Sequence, residues 1–189
     1  MAGIDVTFTK GPGRSYSVAV RRECGPEPAP RGGPGHHPYL PHDLVHFLVE
    51  AEARLRGGVY GRLAAGELGF FWPADPAERG RARHREKSRK PTPRASADMG
   101  RSEELAGACL MLWELRRGQR AALPPWLCGW TPDPVAERIV VRMDEYADRW
   151  HALPDGGSLS VSWSCEPAAW ARSAGGKRRA RRAAAHRRR

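Results

Sequence analysis

Residues 4–20, IDVTFTKGPGRSYSVAV, alternate apolar and polar side chains on both sides of a Gly-Pro-Gly turn. Ile4, Val6 and Phe8 fall between Asp5, Thr7 and Thr9, and Tyr16, Val18 and Val20 fall between Ser15, Ser17 and Ala19. Strand side chains point to opposite faces in turn, so this period of two reads as a β-hairpin with one apolar face. Residues 158–163, SLSVSW, repeat the alternation near the other end of the chain through Leu159, Val161 and Trp163. The expected fold class is therefore α+β. A small antiparallel sheet, the N-terminal hairpin plus a C-terminal strand, needs amphipathic helices to cover its apolar face.

Working inward, the sequence offers three main helices. The first starts near Pro41 and runs to about 56, where Gly57-Gly58 ends it, and a short helix over 59–65 follows. The second is expected to begin at a Ser102 cap, with Glu103 and Glu104 in its first turn, and to run to about 117 as the central helix. The third opens at Thr131-Pro132-Asp133 and carries Val135, Ile139, Met143, Tyr146, Trp150 and Leu153 at steps of three and four, a continuous core stripe. Residues 25–38 read as a Pro/Gly linker. Residues 73–100 read as a disordered basic insertion in a single domain over 1–170, and 171–189 as a disordered Arg-rich tail.

The chain has 189 residues, 40% of them hydrophobic, with Gly 21 and Pro 17. It has enough apolar material for one core and no apolar run long enough for a membrane helix. With no secretion-signal pattern at its start, a cytoplasmic protein without a membrane partner is expected. The net charge of +11 is concentrated: residues 175–189 hold eight cations and no acid, and residues 79–94 hold eight cations against Glu86. Everything else is mildly acidic. Such runs bind polyanions by counterion release, which makes Lys177, Arg178, Arg179, Arg181, Arg182, Arg187, Arg188 and Arg189 the candidate nucleic-acid contacts. The competing reading is compositional, because 28 of the 32 basic residues are Arg, whose codons are GC-rich like those of Ala, Gly and Pro.

Cys24, Cys109, Cys128 and Cys165 are too scattered for a zinc ribbon or a disulfide framework and read as reduced thiols, with Cys109 in the core. No nucleophile elbow, Walker loop or dinucleotide fingerprint is present.

Four of the seven histidines, His36, His37, His42 and His46, fall within eleven residues. At about 100° per residue, His42, His46 and Glu50 share one stripe roughly opposite the apolar face of Leu44, Phe47, Ala51 and Leu55. His-x-x-x-His on a helix face can chelate zinc or another divalent metal, with Glu50 or Glu52 as third ligand, or His36 or His37 folding back. HDLVH is also close to the zincin pattern, with Asp43 where the general base would stand one methylene shorter. The plainer reading is a dipole-favoured Asp43 and solvated imidazoles.

Residues 40–66 resemble a helix-turn-helix-like signature of a group of small bacterial, mainly actinobacterial, proteins with no assigned activity. The matching pieces are Pro41-His42-Asp43-Leu44-Val45-His46-Phe47, Glu50 and the pair Tyr60-Gly61. The resemblance implies a shared fold and no chemistry. The sequence alone thus favours a cytosolic binding or regulatory protein over an enzyme, without a resident cofactor, whose basic segments engage nucleic acid or another polyanion without base readout. The alternatives are a metal-binding protein or metal-dependent hydrolase using His42, His46 and Glu50 with Asp43 as base, and a protein-interaction module in which the basic segments have no specific role.

Overall fold

A computed structural model describes residues 3–23, 25–34, 37–88 and 90–163. The hairpin forms as β1 (Ile4–Lys10) and β2 (Tyr16–Arg22), and the C-terminal strand, β4 (Ser158–Trp163), pairs with β1 on the side away from β2. A two-residue strand within the Pro/Gly stretch, β3 (Arg31–Gly32), extends the sheet to the antiparallel order β3-β2-β1-β4. In register, Val6 lies between Val20 and Val161, and Phe8 between Val18 and Leu159. All six are buried, so the apolar rows line up across three strands as the alternation requires. On the other face Thr7 and Thr9 hydrogen-bond Ser160 and Ser158, both at 2.9 Å, and Asp5 holds Arg21 and Ser162 at 2.8 and 2.7 Å.

Three long helices and a short one pack on the apolar face: α1 (His42–Ala53), α2 (Val59–Ala64), α4 (Pro93–Arg116) and α5 (Pro134–His151). Helix α5 opens on Asp133, whose Oδ1 accepts from the Val135 and Ala136 amides at 2.9 and 2.8 Å, and it buries Ile139, Met143, Tyr146 and Trp150. Helix α1 ends in a left-handed Arg54 (φ 57°), ahead of the two glycines expected to stop it.

Two expectations are corrected. The first concerns residues 73–100, which are helical over Pro76–Ser88 (α3) and again from Pro93 onward. Asp75 Oδ1 accepts from the Ala77 amide at 2.9 Å beside Pro76 at the helix start, Glu78 sits in the first turn, and Ala82 is buried. Arg, Ala, Glu and Lys are good helix formers, so α3 needs no apolar stripe to exist as a surface helix. The second concerns α4, whose cap is Thr92, not Ser102: Thr92 Oγ1 accepts from the Ala95 amide at 3.2 Å, with Pro93 as the first helical residue. Ser102 lies mid-helix and fully buried.

The central helix is α1 rather than α4. Every residue from Asp43 to Glu50 is buried, because α4, α5, α2 and the sheet surround it. His46 and Glu50 of its polar stripe are therefore inside the protein, while His42 at its start stays exposed. Among the described residues no helix is long and apolar enough to cross a membrane. The tail 171–189, with Cys24, His36 and Cys165, lies outside the described residues.

Candidate functional site

Once α1 is enclosed, each polar side chain on it needs a partner, because burying an unpaired polar group costs several kcal/mol. Asp43 turns toward the sheet. Tyr16 Oη donates to its Oδ2 at 2.7 Å, and Arg31 forms an ion pair with its Oδ1. The Tyr16 oxygen in turn accepts the Asp43 amide at 3.2 Å. Both carboxylate oxygens, the ones a general base would use, are thus spent on fastening α1 to β2 and β3.

Glu50 is fully buried and acts as the missing cap of α2, whose own N-cap position is Gly58. Its Oε1 accepts from the Val59 amide at 2.9 Å, and its Oε2 from the Tyr60 amide at 2.8 Å. Ser102 Oγ donates to Oε1 from α4 at 3.3 Å. Burial pushes the Glu50 carboxyl up to about 7, with the amides and the hydroxyl pulling the other way. The approach is close enough that a Cβ on Gly58 would stand 2.3 Å from Glu50 Cδ.

His46 completes the chain of contacts, its Nδ1 lying 3.0 Å from Ser102 Oγ. Its Nε2 lies 3.7 Å from Glu103 Oε2, and its ring centroid is 4.6 Å from that of exposed His42. Burial lowers the His46 pKa, with Glu103 opposing that shift. His37 returns from the linker to the same region: its Nε2 is 3.3 Å from Glu114, its ring stands edge-on to Trp113 at 5.4 Å, and burial lowers its pKa as well. Together His37, His42, His46 and Glu103 rim a pocket of about 210 Å³ between α1 and α4.

The structure therefore brings His42 and His46 together but turns Glu50 away from them, with its oxygens occupied by amides. Among the described residues no three His, Cys, Asp or Glu side chains are placed to hold a metal ion. With both oxygens accepting from amides, Glu50 does not fit a ligand's role. Ser102 is the residue that sequence reasoning misplaced. The pattern Ser-Glu-Glu looks like a helix start, and only the stronger Thr92-Pro93 signal ten residues earlier could have corrected it.

A second cluster is cationic. Gly57 approaches α4 so closely that a Cβ there would meet Ala95 Cα at 2.7 Å, and its amide donates to Asp98 Oδ2 at 2.7 Å. This contact sets Arg56 beside Arg94 on one groove of about 360 Å³, which also holds Arg62 and Thr92. Arg62 pairs with Glu67 at 2.6 Å. Helix α3, which ends just before the groove's Pro91-Thr92 wall, exposes Arg81, Arg83 and Arg85. None of Arg56, Arg94 and these three forms an ion pair with a described residue. The candidate contacts Lys177 to Arg189 lie outside the described residues.

The fold and its two clusters define an α+β protein with a cationic groove and a histidine-rimmed pocket. Compared with known proteins, the chain matches no family, no curated protein and no solved structure.

Proposed function

We propose that the protein binds phosphate-rich polyanions, nucleic acid above all, without reading sequence. The observation that carries this reading is the convergence of Arg56 and Arg94, from separate elements, on one groove, preceded in sequence by a helix of exposed arginines. Guanidinium groups match phosphate in geometry and bind it in pairs, and an arginine without a carboxylate partner gives up no ion pair to do so. The basic tail over 175–189 adds eight further cations to the charge a polyanion can meet. Nothing in the groove supplies a base-reading element, so affinity follows charge and salt and not sequence.

The test uses the full chain and two labelled 20-nucleotide single strands of different sequence, titrated across salt concentrations by fluorescence anisotropy. Arg56→Ala/Arg94→Ala is expected to weaken binding to both strands by the same factor, on the order of tenfold at low salt, and to reduce the log–log salt slope by roughly 1.4. Equal affinity for the natural chain and this variant at low salt would overturn the groove's part in the reading. Unequal losses on the two strands would overturn binding without sequence readout.

A further inference from the structure

The buried contacts on α1 leave His46 Nε2 facing the pocket without a donor. Ser102 has a single hydroxyl proton, and it goes to Glu50 Oε1 at 3.3 Å. The Ser102 oxygen then accepts from His46, 3.0 Å away, which places the imidazole proton on Nδ1. A neutral imidazole carries one N–H, so Nε2 presents a lone pair. What stands nearest on the protein is Glu103 Oε2 at 3.7 Å, itself an acceptor. Leu40, Val45, Ala106 and Leu110 make the apolar part of the pocket wall, which His37 and His42 also line, and its volume of about 210 Å³ has room for one substituted aromatic ring.

We propose that the pocket between α1 and α4 binds a small, largely apolar molecule bearing one hydroxyl donor of the phenol class, whose proton is accepted by His46 Nε2. The fully buried pair Glu50 and Ser102 serves this site as well as α2, because it fixes the imidazole in the one tautomer that can accept from a phenol. The site is independent of the cationic groove. Groups that bear on the charge of His46 are His42 and Asp43 on α1, Glu103 on α4 and Glu50 through Ser102, with His37 and its partner Glu114 on the pocket rim.

The geometry supplies its own control. Gly107 lines the pocket from α4, and a Cβ built on it meets nothing within 4 Å. Gly107→Leu therefore fills the cavity without a backbone clash.

The experiment titrates the full chain with 4-methylphenol and with 4-methylanisole, which has the same ring and no donor, by calorimetry and by the imidazole nitrogen NMR signals at pH 7.5. The phenol is expected to bind at least tenfold tighter than the ether and to shift the His46 Nε2 signal. Ser102→Ala frees the tautomer and should erase the preference while leaving ether binding intact. Gly107→Leu should abolish binding of both. The proposal is overturned by equal affinity for the two probes, by binding of neither at millimolar concentration, by a preference that survives Ser102→Ala, or by binding that survives Gly107→Leu.

Discussion

Glu50→Ala is expected to lower the unfolding free energy by about 3–5 kcal/mol near pH 5, the largest effect of any single polar substitution in the protein. The substitution removes the acceptor for the Val59 and Tyr60 amides and for the Ser102 hydroxyl in one step. It also leaves a hole in the space where α1, α2 and α4 meet. Water cannot readily replace the carboxylate, because Glu50 has no exposed surface.

The cost also has a pH dependence of defined sign. A carboxyl raised to about 7 in the folded chain, against 4.5 when exposed, binds its proton more tightly when folded. That contribution is fully present below about 4.5 and is lost as pH rises through about 7. The difference between the natural chain and Glu50→Ala should therefore shrink by roughly 2 kcal/mol between pH 5 and pH 8. Taking the difference matters, because half-buried His37 and buried His46 have lowered pKa values and contribute in the opposite direction. Urea unfolding of both chains at the two pH values measures it. A cost that is small, or that grows toward pH 8, would mean that the carboxylate is solvated and the cap open.

Gly61→Ala is the second large effect, at about 2–4 kcal/mol destabilising. The direction runs against helix propensity, which favours Ala over Gly by up to ~1 kcal/mol. A Cβ at Gly61 would stand 2.5 Å from Leu55 O and 2.6 Å from Arg56 Cα. These are backbone atoms and have no rotamer to move to. Helix α2 would have to back away from the α1 end, lengthening the hydrogen bonds that Glu50 makes to it. Gly107→Ala is the matched control, because its Cβ enters open space, and it should be neutral or stabilising by up to ~1 kcal/mol. Thermal melts of the two variants separate steric from propensity effects. If Gly61→Ala melts with the natural chain, the close approach of α2 to the 55–56 backbone is wrong.

The sheet was readable because its alternation is undiluted. Ile4, Val6 and Phe8 can face only one side, and the same is true of Leu159, Val161 and Trp163, so the strands and their shared apolar face follow from spacing alone. Helix α5 was readable for the same reason, at period 3.6. Helix α3 was not, because a surface helix held by Asp75, Glu78 and one buried alanine leaves no apolar periodicity. The site was half legible. Spacing put His42, His46 and Glu50 on one stripe, but a stripe opposite the core looks solvent-facing until something covers it, and the cover comes from Ser102, 52 residues beyond Glu50. Charge pattern disclosed the basic segments, yet only the packing of Gly57 on Ala95 sets Arg56 beside Arg94. Asp43 ties α1 to β2, and Glu50 ties it to α2 at Tyr60 and Gly61.

Glu50, buried on α1, closes the start of α2. Amide hydrogen exchange at Val59 and Tyr60 tests it most directly. A short helix of six residues with no cap of its own would fray at its first turn and exchange at close to the rate of an open loop. With Glu50 in place, both amides are instead expected to exchange only through near-global unfolding, as slowly as the core of α1, and this protection vanishes in Glu50→Ala. Loop-like exchange at Val59 and Tyr60 in the natural chain would contradict it.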